Sequence, residues 1–261
     1  MKKIKIFAGI LAGLMLCAAA AGCGGGTGSG DKKAAEKKEL IVGTNPSFAP
    51  FEFTDKKDGK VMGFDIDLIN ALAKKAGYEK VTVKSIAFDG LIPSLESGNI
   101  DVSITGMSIT DERKKKVNFT DPYYESGLMA VVKKDNTAIN GLDDLKGKTI
   151  AVQLGTTGAK YAETIEGAKV KTFDSSDLAC LELKNGGADA VISDLPVLQY
   201  FLKQGGSQYA KSVGTPKKGD FYGIATAKKN KDLCDKLNKA LAELKKDGEY
   251  QKIYDKWFKA E

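Results

Sequence analysis

Residues 101–113 read Asp101-Val102-Ser103-Ile104-Thr105-Gly106-Met107-Ser108-Ile109-Thr110-Asp111-Glu112-Arg113. The stretch up to Thr105 has the pattern of a strand, Gly106 to Ser108 is a turn, and Thr110 stands just before an acidic start, where a helix N-cap belongs. Strand, glycine turn and capped helix make one unit of an α/β fold. A turn with a glycine and two hydroxyls also offers backbone N–H groups to an anion. Arg113 is the only arginine among 40 basic residues. Lysine fills every other basic position, so what arginine adds here is a planar fork that grips a carboxylate at two points. A place on a solvated face beside Lys114, Lys115 and Lys116 is the plainer alternative.

The alternation continues in both directions. Apolar segments at 40–43, 81–86, 128–132, 149–152, 169–173, 190–193 and 223–226 read as strands. Helical spacing marks 66–76, with Asp65 as its N-cap, then 91–95, 178–183 and 197–203. Two helices close the chain, one on Leu233, Leu237, Leu241 and Leu244, the other on Tyr250, Ile253, Tyr254 and Trp257 after Gly248. A second strand-to-helix turn, Gln153-Leu154-Gly155-Thr156-Thr157-Gly158, lacks the register of a P-loop and is either an anion-facing turn or a plain capped one. Asp194 follows a strand, where open α/β sheets bind ligands; a helix N-cap is the alternative reading. Phe48, Phe51 and Phe88 are either core aromatics or a platform for a ligand.

The charge balance is 40 basic against 34 acidic, a formal +6. Removing Lys2, Lys3, Lys5, Lys32, Lys33, Lys37, Lys38, Asp31 and Glu36 leaves 33 against 32. A nearly neutral body gives no footprint for nucleic acid. The sequence has no histidine, which excludes Ser-His-Asp and Cys-His catalysis and any His-ligated zinc or haem. No cofactor or metal is expected. Lys2, Lys3 and Lys5 precede an uncharged apolar stretch ending Ala20-Ala21-Gly22-Cys23, the pattern of a secretory leader over 1–22. Residues 24–38 contain no large apolar side chain and read as a flexible tether. Cys180 and Cys234 remain in the body, where an exported protein permits a bridge without requiring one.

Three further sets of residues carry a resemblance. They are Val42-Gly43-Thr44-Asn45 with Phe48-Ala49-Pro50-Phe51-Glu52-Phe53, Gly63-Phe64-Asp65-Ile66-Asp67-Leu68, and Phe119-Thr120-Asp121-Pro122-Tyr123-Tyr124. With the two turns above, Ala188 to Val191, Tyr222 to Ala225 and Gly248 to Trp257, they run in order from residue 39 onward. The chain resembles the extracytoplasmic solute-binding proteins of polar amino-acid ABC importers, especially the glutamine- and basic-amino-acid-binding branches. The end of the leader likewise resembles a bacterial lipobox, which implies lipidation of Cys23, membrane attachment through that lipid and a tether over 23–38.

The resemblance implies a two-lobed α/β fold of the type II periplasmic-binding-protein-like class with two crossover hinge strands, near 124–131 and 219–224. Lobe 1 would be 39–124 with 223–261, and lobe 2 would be 125–222. A free L-amino acid would sit between the lobes of a monomer, for delivery to an ABC permease and ATPase complex. Arg113 would take the α-carboxylate, helped by the backbone N–H groups of Ser108 and Thr157. Asp194, the Gly106 carbonyl and the Ser108 hydroxyl would meet the α-ammonium. Phe48 and Phe88 would sandwich the stem, Asn45 and Gln153 would reach the distal end, and Thr156 would line the site. Two neutral amides at that end favour glutamine. Arginine or lysine comes second, should Glu52 or Asp89 reach the pocket. A fold-related dehydratase is the alternative of another class.

Overall fold

The run at 128–132 shows no polar alternation, and the computed structural model, which describes residues 38–259, gives the reason: both faces of its strand are covered. The expected leader, Cys23 and the tether up to residue 37 lie outside the described residues.

The chain begins with strands β1 (Glu39–Thr44), β2 (Ser47–Phe48), β3 (Glu52–Thr54) and β4 (Val61–Met62), helix α1 (Phe64–Lys75) and strand β5 (Lys80–Ser85). Helix α2 (Leu91–Ser97), strand β6 (Val102–Ser103), helix α3 (Asp111–Lys116) and strand β7 (Val117–Phe119) complete this first stretch. The middle of the chain forms β8 (Tyr124–Lys133), β9 (Thr149–Gln153), α4 (Thr157–Glu163), β10 (Lys169–Phe173) and α5 (Ser176–Asn185). It continues through β11 (Ala190–Asp194), α6 (Leu195–Lys203) and β12 (Ala210–Tyr222). Strand β13 (Ala225–Ala227) and helices α7 (Lys231–Lys246) and α8 (Glu249–Phe258) close it.

Two five-stranded sheets define two lobes. The first has the order β5-β1-β6-β13-β7, with β1 parallel to β5 and β6, and β13 antiparallel to β6 and β7. The second has the order β10-β9-β11-β8-β12, with β9 parallel to β10 and β11, and β8 antiparallel to β11 and β12. Strands β2, β3 and β4 form a small antiparallel sheet. The chain enters the second sheet at β8 and leaves it at β12, and these strands pair from Tyr124 opposite Tyr222 to Lys133 opposite Ala210.

Packing explains the sequence pattern. In α1, Phe64, Leu68, Ile69 and Leu72 fall on one face and join Leu237, Leu241 and Leu244 of α7 in the first core. In the second lobe, Leu128, Ala130 and Val132 of β8 face one layer, and Met129 and Val131 face the other. Where the lobes meet, the Phe51 ring lies 4.8 Å from Tyr124, 5.2 Å from Tyr222 and 5.2 Å from Phe258.

Two expectations change, and one open point closes. Helix α1 begins at Phe64, and Gly63, in the N-cap position, makes no side-chain cap. Asp65 lies inside the first turn, fully buried, and its carboxylate accepts from the Gly106 N–H at 2.9 Å and the Tyr123 hydroxyl at 2.8 Å. It therefore ties α1 to the Gly106 turn instead of capping the helix. The strand expected at 223–226 is confined to Ala225–Ala227, and the strand before it extends back to Ala210. Its lysines hid it: β12 is an edge strand, where charged residues discourage pairing with another chain. Cys180 and Cys234 are both buried free thiols, so the permitted bridge is not formed.

Phe51 is fully buried among those rings. Phe51→Ala is expected to lower stability by about 3–5 kcal/mol, read as a reduced urea midpoint in equilibrium unfolding.

Candidate functional site

The first strand-to-helix turn forms as its residues dictate. The Thr110 side chain caps α3 by accepting from the Arg113 N–H at 3.2 Å, which fixes the helix that carries the arginine. The guanidinium then turns inward, and Arg113 as a whole is about 9 % exposed. It donates to the Ser108 carbonyl at 2.7 Å within its own lobe and to the Gly155 carbonyl at 3.0 Å in the other lobe. Its Cζ lies 5.2 Å from the centre of the Phe88 ring, a cation–π distance.

The second turn approaches from the opposite lobe. Thr156 caps α4, accepting from the Ala159 N–H at 3.1 Å and donating to the Gln153 carbonyl at 2.8 Å. Its hydroxyl is therefore engaged in holding the turn. The Thr157 and Ser108 hydroxyls face each other across the cleft at 3.4 Å. At the rim, Lys160 pairs with Glu112 between the lobes.

Asp194 ends β11 and is buried. The Ser126 hydroxyl donates to it at 3.0 Å, and the Tyr222 hydroxyl donates to Ser126 at 3.1 Å. Ser126 lies on β8 and Tyr222 on β12, so both crossing strands hold this carboxylate. The Asp194 side chain makes no cap bond to α6.

Gln153 and Asn45 meet directly. Gln153 Nε2 donates to Asn45 Oδ1 at 2.9 Å and to the Asp174 carbonyl at 3.2 Å, and Gln153 Oε1 accepts from Ser176 at 3.0 Å. Asn45 Nδ2 donates to the Ile86 carbonyl at 3.1 Å. Both donors of the Gln153 amide are thus engaged within the protein. Behind them, the Asn45 N–H donates to the Thr105 hydroxyl at 3.0 Å, which donates to Glu52 Oε1 at 2.8 Å. Gly106, at φ +54°, brings its backbone against the Phe48 ring, where a Cβ would lie 2.6 Å from a ring carbon.

Asn45, Phe48, Phe88, Gly106, Ser108, Arg113, Gln153, Thr156, Thr157 and Asp194 all line one narrow, largely closed cavity. Glu52 and Thr105 line it too. Asp89 lies outside it, exposed at the rim near Gly155. A larger surface depression lined by Lys114, Phe119, Lys231 and Asn238 contains no buried charged side chain. Sequence reading gave Glu52 only as an outside contributor and overlooked Thr105 and Ser126. The available signal for Glu52 was its place between Phe51 and Phe53, an acid enclosed by aromatic residues.

Over residues 40–260 the chain matches the model of the bacterial extracellular solute-binding proteins, family 3. It belongs to that family. The ABC transporter arginine-binding protein 1 of Escherichia coli (strain K12) is 43% identical over 230 residues, covering 86% of this chain and 92% of that protein. An ancestral arginine-binding protein bound to arginine shares 51% identity at a TM-score of 0.82, covering 85% of this chain and 99% of its own. An ancestral arginine-binding protein bound to glutamine shares 50% at 0.80, with 86% and 99% covered.

Burial sets the electrostatics of this solute-binding protein's cavity. It lowers the Arg113 pKa, and the Asp194 and Asp220 carboxylates work against that shift. Burial raises Asp194 to about 7, with hydrogen bonds from Tyr222 and Ser126 and the Arg113 charge opposing it. Asp65 is raised to about 6 by burial, and Glu52 is pushed well above the carboxylate range by burial and then by Asp65.

These acids bind more protons folded than unfolded, so their contribution to stability falls as pH rises through the folded pKa values. The ligand-free protein is expected to melt at a higher temperature at pH 5 than at pH 8. Asp194→Asn should shrink the difference. Scanning calorimetry at constant ionic strength checks both.

Proposed function

We propose that this chain is the substrate-capturing component of an ABC importer, taking up a basic L-amino acid, arginine first, outside the cell membrane. The observation that carries the reading is one cavity with three buried charge-bearing side chains, Arg113, Asp194 and Glu52. Arg113 and Asp194 complement the carboxylate and ammonium of a free amino acid. Asp194 bonds to Ser126, and Glu52 bonds to Thr105. Phe48 and Phe88 supply apolar walls for the stem.

Glu52 reverses the ranking that Asn45 and Gln153 suggest. Those amides bond to each other, whereas Glu52 Oε2 has no partner. A buried cation needs an anion to offset its desolvation, and Glu52 supplies one. The named relatives support the same order. Glutamine is the second candidate, supported by the neutral amides and by the ancestral protein bound to it.

On this reading lobe 1 comprises 39–124 with 223–261 and lobe 2 comprises 125–222, supported by the sheet each strand joins. The chain acts as a monomer, anchored through lipid on Cys23 after loss of 1–22, and passes its ligand to a permease and ATPase complex. It binds without turnover, so cyclic amino-acid precursors incubated with it are recovered unchanged.

A thermal-shift panel of free L-amino acids tests the reading, since a ligand that binds only the native state raises its melting temperature. Arginine and lysine should give the largest shifts, followed by glutamine. No shift with any amino acid refutes the function, and a large glutamine shift with none for arginine refutes the ranking. Arg113→Ala leaves the ligand carboxylate buried and unpaired, costing about 3–5 kcal/mol. Calorimetric affinity should fall by about two to three and a half decades. Arg113→Lys should recover only part of it, because an ammonium cannot supply the fork.

A further inference from the structure

Glu52 and Asp65 are two fully buried acids in side-chain contact, and neither has an ion pair among the described residues. Glu52, on β3, accepts from Thr105 through Oε1. Asp65, on α1, accepts from the Gly106 N–H and the Tyr123 hydroxyl through Oδ2. The two oxygens left over, Glu52 Oε2 and Asp65 Oδ1, are both buried and both lack a partner. Facing carboxylates repel in a poorly solvated site, and an orphaned buried acceptor is costly. One proton on Glu52 Oε2, donated toward Asp65 Oδ1, removes both penalties.

We propose that Glu52 and Asp65 hold one shared proton in the ligand-free protein, and that a cationic ligand side chain expels it while a neutral one leaves it in place. The inference rests on the amino-acid-binding reading above and concerns how that site discriminates. When the cation enters, the O–H bond of Glu52 breaks, the proton passes to buffer, and the carboxylate so formed accepts from the ligand. Positive charge replaces positive charge, so the net charge of the cavity is unchanged.

The groups facing the pair support this assignment. Thr105, Tyr123 and, farther out, Tyr250 surround it, and none carries a positive charge. Asp65 accepts from two donors and Glu52 from one, so the charged form is better supported on Asp65 and the proton belongs on Glu52. Arg113 and Asp194 line the same cavity. Asp194, raised to about 7, also titrates when an α-ammonium arrives. That contribution is common to every amino acid, so the difference between arginine and glutamine isolates the Glu52–Asp65 pair.

Titration calorimetry at pH 7 in phosphate, HEPES and Tris counts the protons released from the dependence of heat on buffer ionisation. Arginine should release close to one proton more than glutamine, and Glu52→Gln should abolish the excess. The affinity ratio of arginine over glutamine should then rise with pH, by up to about tenfold per unit. Infrared difference spectroscopy reads the ligand-free protein directly: wild type should show a protonated carboxylic acid at pH 7 that Glu52→Gln lacks and that arginine removes. Arginine binding with no excess release, or a wild type without the acid band, overturns the proposal. An acid band present with no arginine binding overturns the basic-ligand ranking instead, and with it the expulsion step.

Discussion

A guanidinium removed from water must find its partners in the protein, and Arg113 finds them on both sides of the cleft. One N–H group serves the Ser108 carbonyl of its own lobe and another serves the Gly155 carbonyl of the opposite lobe. The cap at Thr110, the stacked Phe88 ring and the turn held by Thr156 all fix where that side chain lies. Lysine could not replace it, because a compact ammonium lacks the planar fork that addresses two carbonyls in different lobes at once.

The second anchor of the site is built from the crossings themselves. Asp194 belongs to β11, yet its carboxylate is held by Ser126 and Tyr222, one residue from each crossing strand. On the proposed function, an ammonium at Asp194 would act on a network that reaches the connection between the lobes. Domain closure around a ligand needs such differential contacts in the closed form.

Much of this was legible in the sequence, for identifiable reasons. The lone arginine, the two glycine-and-hydroxyl turns and the acid at a strand end are local patterns, and the structure gathers them at one cavity. What escaped depends on tertiary contact. Asp65 has the composition of a cap, but its partners are Gly106 and Tyr123, far along the chain. Strand β12 was concealed by its lysines, because an edge strand has little apolar surface to show. Glu52 entered the reading only on the condition that it reach the pocket, and that depends on how the chain folds around it. Nor does any spacing rule reveal that Asn45 and Gln153, more than a hundred positions apart, bond to each other.

The placement of β13 constrains the order in which the chain can be assembled. The middle stretch, from β8 to β12, is continuous and contains every strand of its own sheet. The opposite sheet has a gap between β6 and β7 that only Ala225–Ala227 can fill, and its core also requires Leu237, Leu241 and Leu244 from α7. A chain emerging from its N-terminus thus presents the inserted lobe complete while the outer one still lacks an interior strand. The last forty or so residues act as a closing clasp: until they arrive, the edges of β6 and β7 are open to wrong partners, the hazard of any sheet completed by a distant segment.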